Sequence, residues 1–380
     1  AGMDITEVVA LIKGEEGTQV VLTLVREGEN DYLEIPVERR KIESPTVSSE
    51  MLENNIGYIE ITEFDDVTED QFAEALAECK GNGMKALILD LRSNQGGNLS
   101  TVCEICRMVL PKGMIVYTED KYGQREEYTS DGRREYEGPM VVLVNGYSAS
   151  ASEIFAGAMQ DNDRATIVGR RSYGKGLVQE PIYFTDKSGI RLTVARFYTP
   201  TGRCIQKPYT ENYQYDIFER YNHGEMTVAD SIRRNDSLKF VTPGGKTVYG
   251  GGGIIPDVFV PLDTAGVTNF LIAVNRKSLQ VKYSIKLADM YRAQLRDVKS
   301  FGELEKLVST INFEEGFLNF AKANGVVPQG SEWERSKEFI VTQIKGLFGR
   351  YSVLDDKAFY PYILRVDNVI QAITAPKNKE

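Results

Sequence analysis

Runs of apolar residues alternate with polar turns along the first two thirds of the chain, and helical spacing takes over in the last third. At the start, Ile5–Ile12 reads as a short helix, Gly14 and Gly17 as a turn, TQVVLTLVREG as an alternating strand and the stretch around LEIPVERRKI as a second strand. Together these predict a small α+β module over residues 1–45. From residue 46 the chain predicts a strand at IGYIEI, a helix opened by a Thr68-x-x-Gln71 capping box and closed by Gly81 and Gly83, and a buried strand at KALILDL. A glycine-rich loop, SNQGGN, then leads into a further helix. Strand, loop and helix repeat at Met140–Val144, Gly146–Ser150 and Ala151–Gln160, and LVQEPIYF follows as another strand. Such alternation predicts a parallel, layered α/β core over residues 46–264.

Between Tyr209 and Gly253 the pattern loosens into a Tyr- and Asp-rich stretch ending in YGGGG, before a last strand at IIPDVFVPL. Beyond it, Leu287, Met290, Tyr291, Leu295 and Val298 keep helical spacing, as do Phe339, Ile340, Ile344, Leu347 and Tyr351. Residues 265–380 therefore read as a helical domain with a frayed polar tail, APKNKE. The opening residues read as the middle of a helix-turn-strand unit, so the natural N-terminus is expected to lie upstream.

Composition narrows the chemistry. With 380 residues, 42% hydrophobic and 26% charged, the chain is an ordinary globular protein of two or three domains. A net charge of −10 argues against nucleic acid or an anionic membrane as the main partner. No apolar run approaches the ~18 residues of a spanning helix. Cys103 and Cys106 form a CxxC, yet with Leu99, Val102 and Leu110 they fall on one helical stripe and read as core. Cys79 and Cys204 have no motif around them.

The whole chain contains one histidine, His223. A zinc site built mainly from histidines is thereby excluded, and any Cys-His pair or Ser-His-Asp triad would depend on that single residue. What remains for activating a hydroxyl is a lysine or a carboxylate. A lysine acts as general base when its pKa falls from about 10.4 to roughly 7–8, which requires burial away from carboxylates. Lys175, between Gly174 and Gly176 and ahead of a strand, suits that role. Ser150 lies 25 residues earlier, in VVLVNGYSASASEIFAG. As Ser150-x-x-Glu153 it reads as a capping box. The same position exposes its hydroxyl at a helix start, where the dipole favours an oxyanion and the Ala151 N–H can point at it.

The combination of SASASE after a buried strand with a GKG turn resembles the C-terminal processing, or tail-specific, peptidase family. The resemblance implies Ser150 as nucleophile, Lys175 as base and Gln179 as the residue that orients the lysine. DLRSNQGGN resembles the family's oxyanion loop, making Gly96 and Gly97 candidates beside Ala151. Asp161 matches an acidic position with a structural role. RLTVARFYTPTGRCIQ and GGGGIIPDV match further core segments. The implied fold is a ClpP/crotonase-like layered α/β core, preceded by the back half of a PDZ domain and followed by a helical domain. YQYDIFERYNHGEM and the helical tail resemble the Bacteroidetes-type version. The implied function is a Ser-Lys endopeptidase without cofactor or metal, acting in the bacterial envelope on polypeptides engaged near a free C-terminus. A homo-oligomer or a regulatory protein partner stays open.

Competing readings accompany this one. A non-catalytic protein could keep the fold and capture C-terminal peptides by strand addition. Gly169-x4-Gly174-Lys175 imitates a phosphate-binding loop, but Gly176 stands where Ser or Thr should be and a strand follows instead of a helix. Gly245-Lys246-Thr247 fails because Phe240 occupies the first glycine position. Ser172-x-x-Lys175 imitates an acyl-enzyme motif with Ser172 as nucleophile, and Gly146-x-Ser148-x-Ser150 a nucleophile elbow that would need His223.

Overall fold

A computed structural model describes residues 2–26, 30–42, 44–210 and 213–375, so most of the polar tail lies outside the described residues. The chain forms two compact units, Ala1–Ser44 and Pro45–Glu380. In the first, helix α1 (Ile5–Ile12) precedes an antiparallel hairpin of β1 (Gln19–Leu24) and β2 (Leu33–Glu38), in register from Gln19 opposite Glu38 to Leu24 opposite Leu33. Asp4 caps α1 by accepting the Thr6 N–H at 2.8 Å.

The second unit is a mixed α/β structure with a helical C-terminal region. Its first elements are β3 (Val47–Leu52), β4 (Ile56–Ile61), α2 (Thr68–Gly81), β5 (Ala86–Asp90) and α3 (Leu99–Val109). Then come β6 (Gly113–Asp120), β7 (Arg125–Ser130), β8 (Met140–Val144), α4 (Ala151–Asp161) and β9 (Thr166–Gly169). They are followed by β10 (Leu177–Tyr183), β11 (Gly189–Tyr198), α5 (Asp216–Asn222), β12 (Lys239–Val241), β13 (Thr247–Tyr249) and β14 (Val258–Phe259). The C-terminal helices are α6 (Asn269–Arg276), α7 (Leu279–Met290), α8 (Arg292–Asp297) and α9 (Phe301–Ser309). Four more complete the chain: α10 (Phe313–Ala323), α11 (Glu332–Arg350), α12 (Asp356–Ile363) and α13 (Asn368–Thr374).

Six strands form the main sheet in the order β14-β9-β8-β5-β4-β3, parallel except for β3, which pairs antiparallel to β4 at the edge. Its inner strands β9, β8, β5 and β4 are apolar at most positions because both faces are covered. Ile59, Leu87, Leu89, Val142 and Val144 point toward α2, α3 and α4. Their alternates Tyr58, Ile88, Leu143 and Val168 pack against Tyr360, Leu364, Val369 and Ile370, so α12 and α13 roof the opposite face. The other C-terminal helices enclose a core of their own around Phe317, Ile340, Ile344 and Phe348. A second, antiparallel sheet runs β10-β11-β6-β7.

One predicted cap is corrected. Thr68 sits inside the first turn of α2, and Val67 is the N-cap residue. Gln71 turns away from the helix end and accepts the Thr46 and Val47 N–H groups at 2.8 and 3.2 Å, because the entry to β3 offers unpaired donors there. Cys103 and Cys106 are free, buried thiols within the core, and burial pushes Cys103 up to about 12.

Candidate active site

The carboxyl ends of neighbouring parallel strands are where an open α/β sheet places its ligand site, since the loops leaving them converge. Here the loop after β5 supplies Arg92–Asn98, the loop after β8 supplies Asn145–Ser150, and the loop after β9 supplies Arg170–Gly176. Ser150, Ala151, Gly96, Gly97, Lys175 and Gln179 all line one cleft of ≈ 830 Å³. Asp161 does not; it lies at the other end of α4.

Ser150 stands at the start of α4 with φ 56° and ψ −115°. A non-glycine residue in that conformation carries strain of order 1–3 kcal/mol, so the surroundings must enforce it. They do so through Glu153, which is wholly buried. Its Oε2 accepts the Ser150 N–H at 3.0 Å and the Lys175 N–H at 2.8 Å. Its Oε1 accepts the Gly174 N–H at 2.7 Å and the Ser172 hydroxyl. Burial raises its carboxyl above the usual carboxylate range, partly offset by these hydrogen bonds. One buried carboxylate thus ties the Ser150 turn to the Lys175 turn. From the sequence Glu153 reads only as a helix cap. The clue to more is a charged residue in a helix whose every position is buried.

Asn94 performs a similar office for the β5 loop. Fully buried, it donates through Nδ2 to the Ile61 carbonyl at 2.8 Å, while its own carbonyl accepts from the Ala149 N–H at 3.0 Å and the Ser152 hydroxyl at 2.9 Å. Its Oδ1 accepts the Gly96 N–H at 2.8 Å. That bond corrects the expectation for Gly96, whose amide is already engaged and cannot also serve an oxyanion. Gly96 is needed for space: at φ 104°, a Cβ there would sit 2.7 Å from Ser150 Cβ and 2.9 Å from Ala151 N. The N–H groups of Gly97 and Ala151 have no acceptor among the described residues. Gly97 is exposed to the cleft, its backbone fixed by a bridge to Phe64.

Lys175 is half-buried and forms no ion pair among the described residues. Gln179 is exposed on β10 beside a bulge between Val178 and Gln179, and its amide donates to Thr193 Oγ1 at 3.4 Å. Asp161 is buried and accepts from Arg203 Nη2 at 2.7 Å and Thr201 Oγ1 at 2.7 Å, pinning the turn after β11 to the end of α4.

The competing nucleophiles are spent on structure. Ser148 is fully buried, donating to the Leu91 carbonyl at 2.7 Å and accepting the Asn145 N–H at 2.9 Å. Ser172 is fully buried between Glu153 and the Ile254 N–H. His223 is exposed and its Nδ1 lies 2.6 Å from the Glu219 carbonyl, at the end of α5. A strand, β10, follows the glycine-lysine turn, which removes the helix that a phosphate-binding loop requires.

Residues 55–215 match peptidase family S41, and residues 270–353 match a family of unknown function (DUF8443). The chain is 37% identical over 209 residues to a carboxyl-terminal-processing protease of Synechocystis sp., covering 54% of this chain and 49% of that protein. It is 38% identical over 207 residues to the carboxy-terminal processing protease CtpA of Bacillus subtilis, covering 54% of this chain and 44% of that protein. Among solved structures, a photosystem II D1 C-terminal processing protease aligns at 28% identity and a TM-score of 0.42, covering 68% of this chain and 60% of that one. The chain spans about half the length of the curated relatives it matches.

Proposed function

We propose that the protein is a serine endopeptidase in which Ser150 is the nucleophile and Lys175 the general base. The observation that carries this is the strained, half-exposed Ser150 sharing one cleft with a lysine that has no ion pair, and with two backbone N–H groups that have no acceptor, among the described residues. Lys175 takes the Ser150 hydroxyl proton as Oγ attacks the peptide carbonyl, and returns it to the leaving amine. The N–H groups of Ala151 and Gly97 receive the developing oxyanion at the positive end of α4, with Gly96 admitting the close approach. Gln179 orients the lysine amine once substrate is bound. Asp161 supports the turn after β11. No step draws on a metal or cofactor.

The substrates are polypeptides engaged near a free C-terminus, in keeping with the processing activity named for the relatives. The main sheet with its flanking helices is a ClpP/crotonase-like core, and α1 with the β1–β2 hairpin is the back half of a PDZ-type module. The proposed location is the bacterial envelope, an extension from the family resemblance and from relatives in bacteria. Among the described residues no helix is long and apolar enough to cross a membrane. Incubating the protein with an unfolded polypeptide, wild type beside Ser150→Ala, tests the reading. Cleavage by wild type alone is expected, and equal cleavage by both overturns it.

A further inference from the structure

A second cavity, of ≈ 310 Å³, opens beside Asn145, Gly146 and Tyr147, the first residues of the turn that carries Ser150. Its walls come from Ile217, Phe218 and Tyr221 on and around α5, with Met226 and Leu262. Phe218 and Tyr221 are 63% and 57% exposed, and Tyr147 is 56% exposed, so water meets a contiguous aromatic rim. Apolar patches of this kind on an ordered surface mark binding sites. The wall is fixed in place. Arg220 donates to Glu225 Oε1 at 2.8 Å and to the Ser172 carbonyl at 3.0 Å, and Arg171 donates to Glu225 Oε2 at 2.6 Å, which clamps α5 to the loop after β9. Ile217 packs closely on Gly146, where a Cβ would meet Ile217 Cδ1 at 2.6 Å and require that side chain to shift.

Among these apolar groups stands one cation. Arg170 is half-buried and lines the cavity, and its guanidinium donates to the Val260 carbonyl at 3.4 Å without a carboxylate in ion-pair distance among the described residues. Burial, and then the neighbouring Arg92, lower its affinity for a proton, partly offset by Asp367. Arg92 is already paired with Asp90 at 2.6 Å and Asp367 at 2.8 Å. A half-buried guanidinium without an ion pair among the described residues, its nearest carboxylate Asp367 already taken by Arg92, favours a ligand that brings a negative charge into an otherwise apolar pocket.

We infer that this cavity binds the carboxy-terminal residue of a polypeptide, its apolar side chain among Phe218, Tyr221 and Ile217 and its carboxylate on Arg170. Charge complementarity selects the occupant: an apolar group that carries an anion, with Arg170 beside the apolar walls. The inference rests on the proposed peptidase reading only in taking a polypeptide as ligand, and binding needs neither Ser150 nor Lys175. Because the pocket abuts the Asn145–Tyr147 stretch, an occupant bears on the turn that holds Ser150.

The test is fluorescence anisotropy on the Ser150→Ala chain with a fluorescein-labelled hexapeptide ending in Ala-Leu-Phe. The free acid should bind about tenfold or more tightly than its C-terminal amide and than the version ending in Ser, as expected for one charge-assisted contact or one buried ring. Arg170→Gln should erase the acid–amide difference. Phe218→Ser and Tyr221→Ser alter exposed rings, so folding is retained, and both should weaken the acid. Absence of binding, equal binding of acid and amide, or unchanged binding by Arg170→Gln or Phe218→Ser overturns the assignment. An amidated peptide carrying an internal Asp beside Phe that binds as well as the acid overturns the C-terminal occupant. Cleavage assays on the Ser150 position fail or succeed independently of these titrations.

Discussion

The two sides of the cleft are held in different ways. On one side, the Ser150 and Lys175 turns are locked to each other by buried Glu153, and the β5 loop is locked to them by buried Asn94. On the other, β10 and β11 carry Gln179 on a hairpin whose residues from Gln179 to Thr193 are exposed. Buried, multiply bonded groups keep one geometry, whereas an exposed hairpin with few apolar contacts opens at low cost. The proposed nucleophile and base are therefore fixed by the fold, and the glutamine proposed to orient the lysine is supplied by the part most able to respond to a bound peptide.

Removing either reacting group should give the largest loss. Ser150→Ala and Lys175→Ala should each lower cleavage of an unfolded polypeptide at least about a thousandfold. Lys175→Arg should be as inactive, since a guanidinium holds its proton near neutral pH. Stability should barely change. Ser150→Gly should melt above Ser150→Ala by roughly 1 kcal/mol, because glycine adopts φ 56° without strain. Equal melting of the two would show that the turn is not strained.

Breaking the lock should come next. Each carboxylate oxygen of Glu153 accepts two donors, so Glu153→Gln presents an NH₂ to two N–H or O–H groups whichever way the amide turns. Activity should fall about a hundredfold. The folded chain also binds the Glu153 proton more tightly than the unfolded one, because burial raises its pKa. This group's contribution to stability is therefore full at acid pH and is lost as pH rises through its folded value. Acidification through that window should raise the stability of wild type relative to Glu153→Gln, read from melting against pH. Asp161→Asn is the contrasting case. It strands the buried Arg203 and should cost about 3–5 kcal/mol while activity per folded molecule stays near wild type.

The main sheet was legible because its strands are apolar on both faces and its helices repeat after glycine-rich loops. Strand β3 was not: VSSEML is polar, and it exists because an edge position against β4 tolerates that. Strand β6 turns polar at its end, Thr-Glu-Asp, and β7, REEYTS, is polar nearly throughout, so both depend on pairing with β11 and each other, a long-range fact that local periodicity does not carry. At the site, residue types pointed to Ser150 and Lys175 and the family resemblance to Gln179, Gly96 and Gly97, all of which line the cleft. They could not show that the Gly96 amide is engaged by Asn94, or that Glu153 joins two loops 19 or more residues apart in sequence. Those bonds depend on loops that only the assembled sheet brings together.

Gln179→Ala should sharpen the contrast with a smaller effect. The residue is exposed and makes one long hydrogen bond, so unfolding free energy should stay within about 0.5 kcal/mol of wild type. If Gln179 orients Lys175 only when substrate draws the hairpin in, kcat should fall about tenfold with KM little changed, since the interaction is made on the way to the transition state. A fall confined to KM would make Gln179 a substrate contact. Unaltered kinetics would place the orienting group elsewhere on the cleft wall and remove the hairpin from the catalytic assembly.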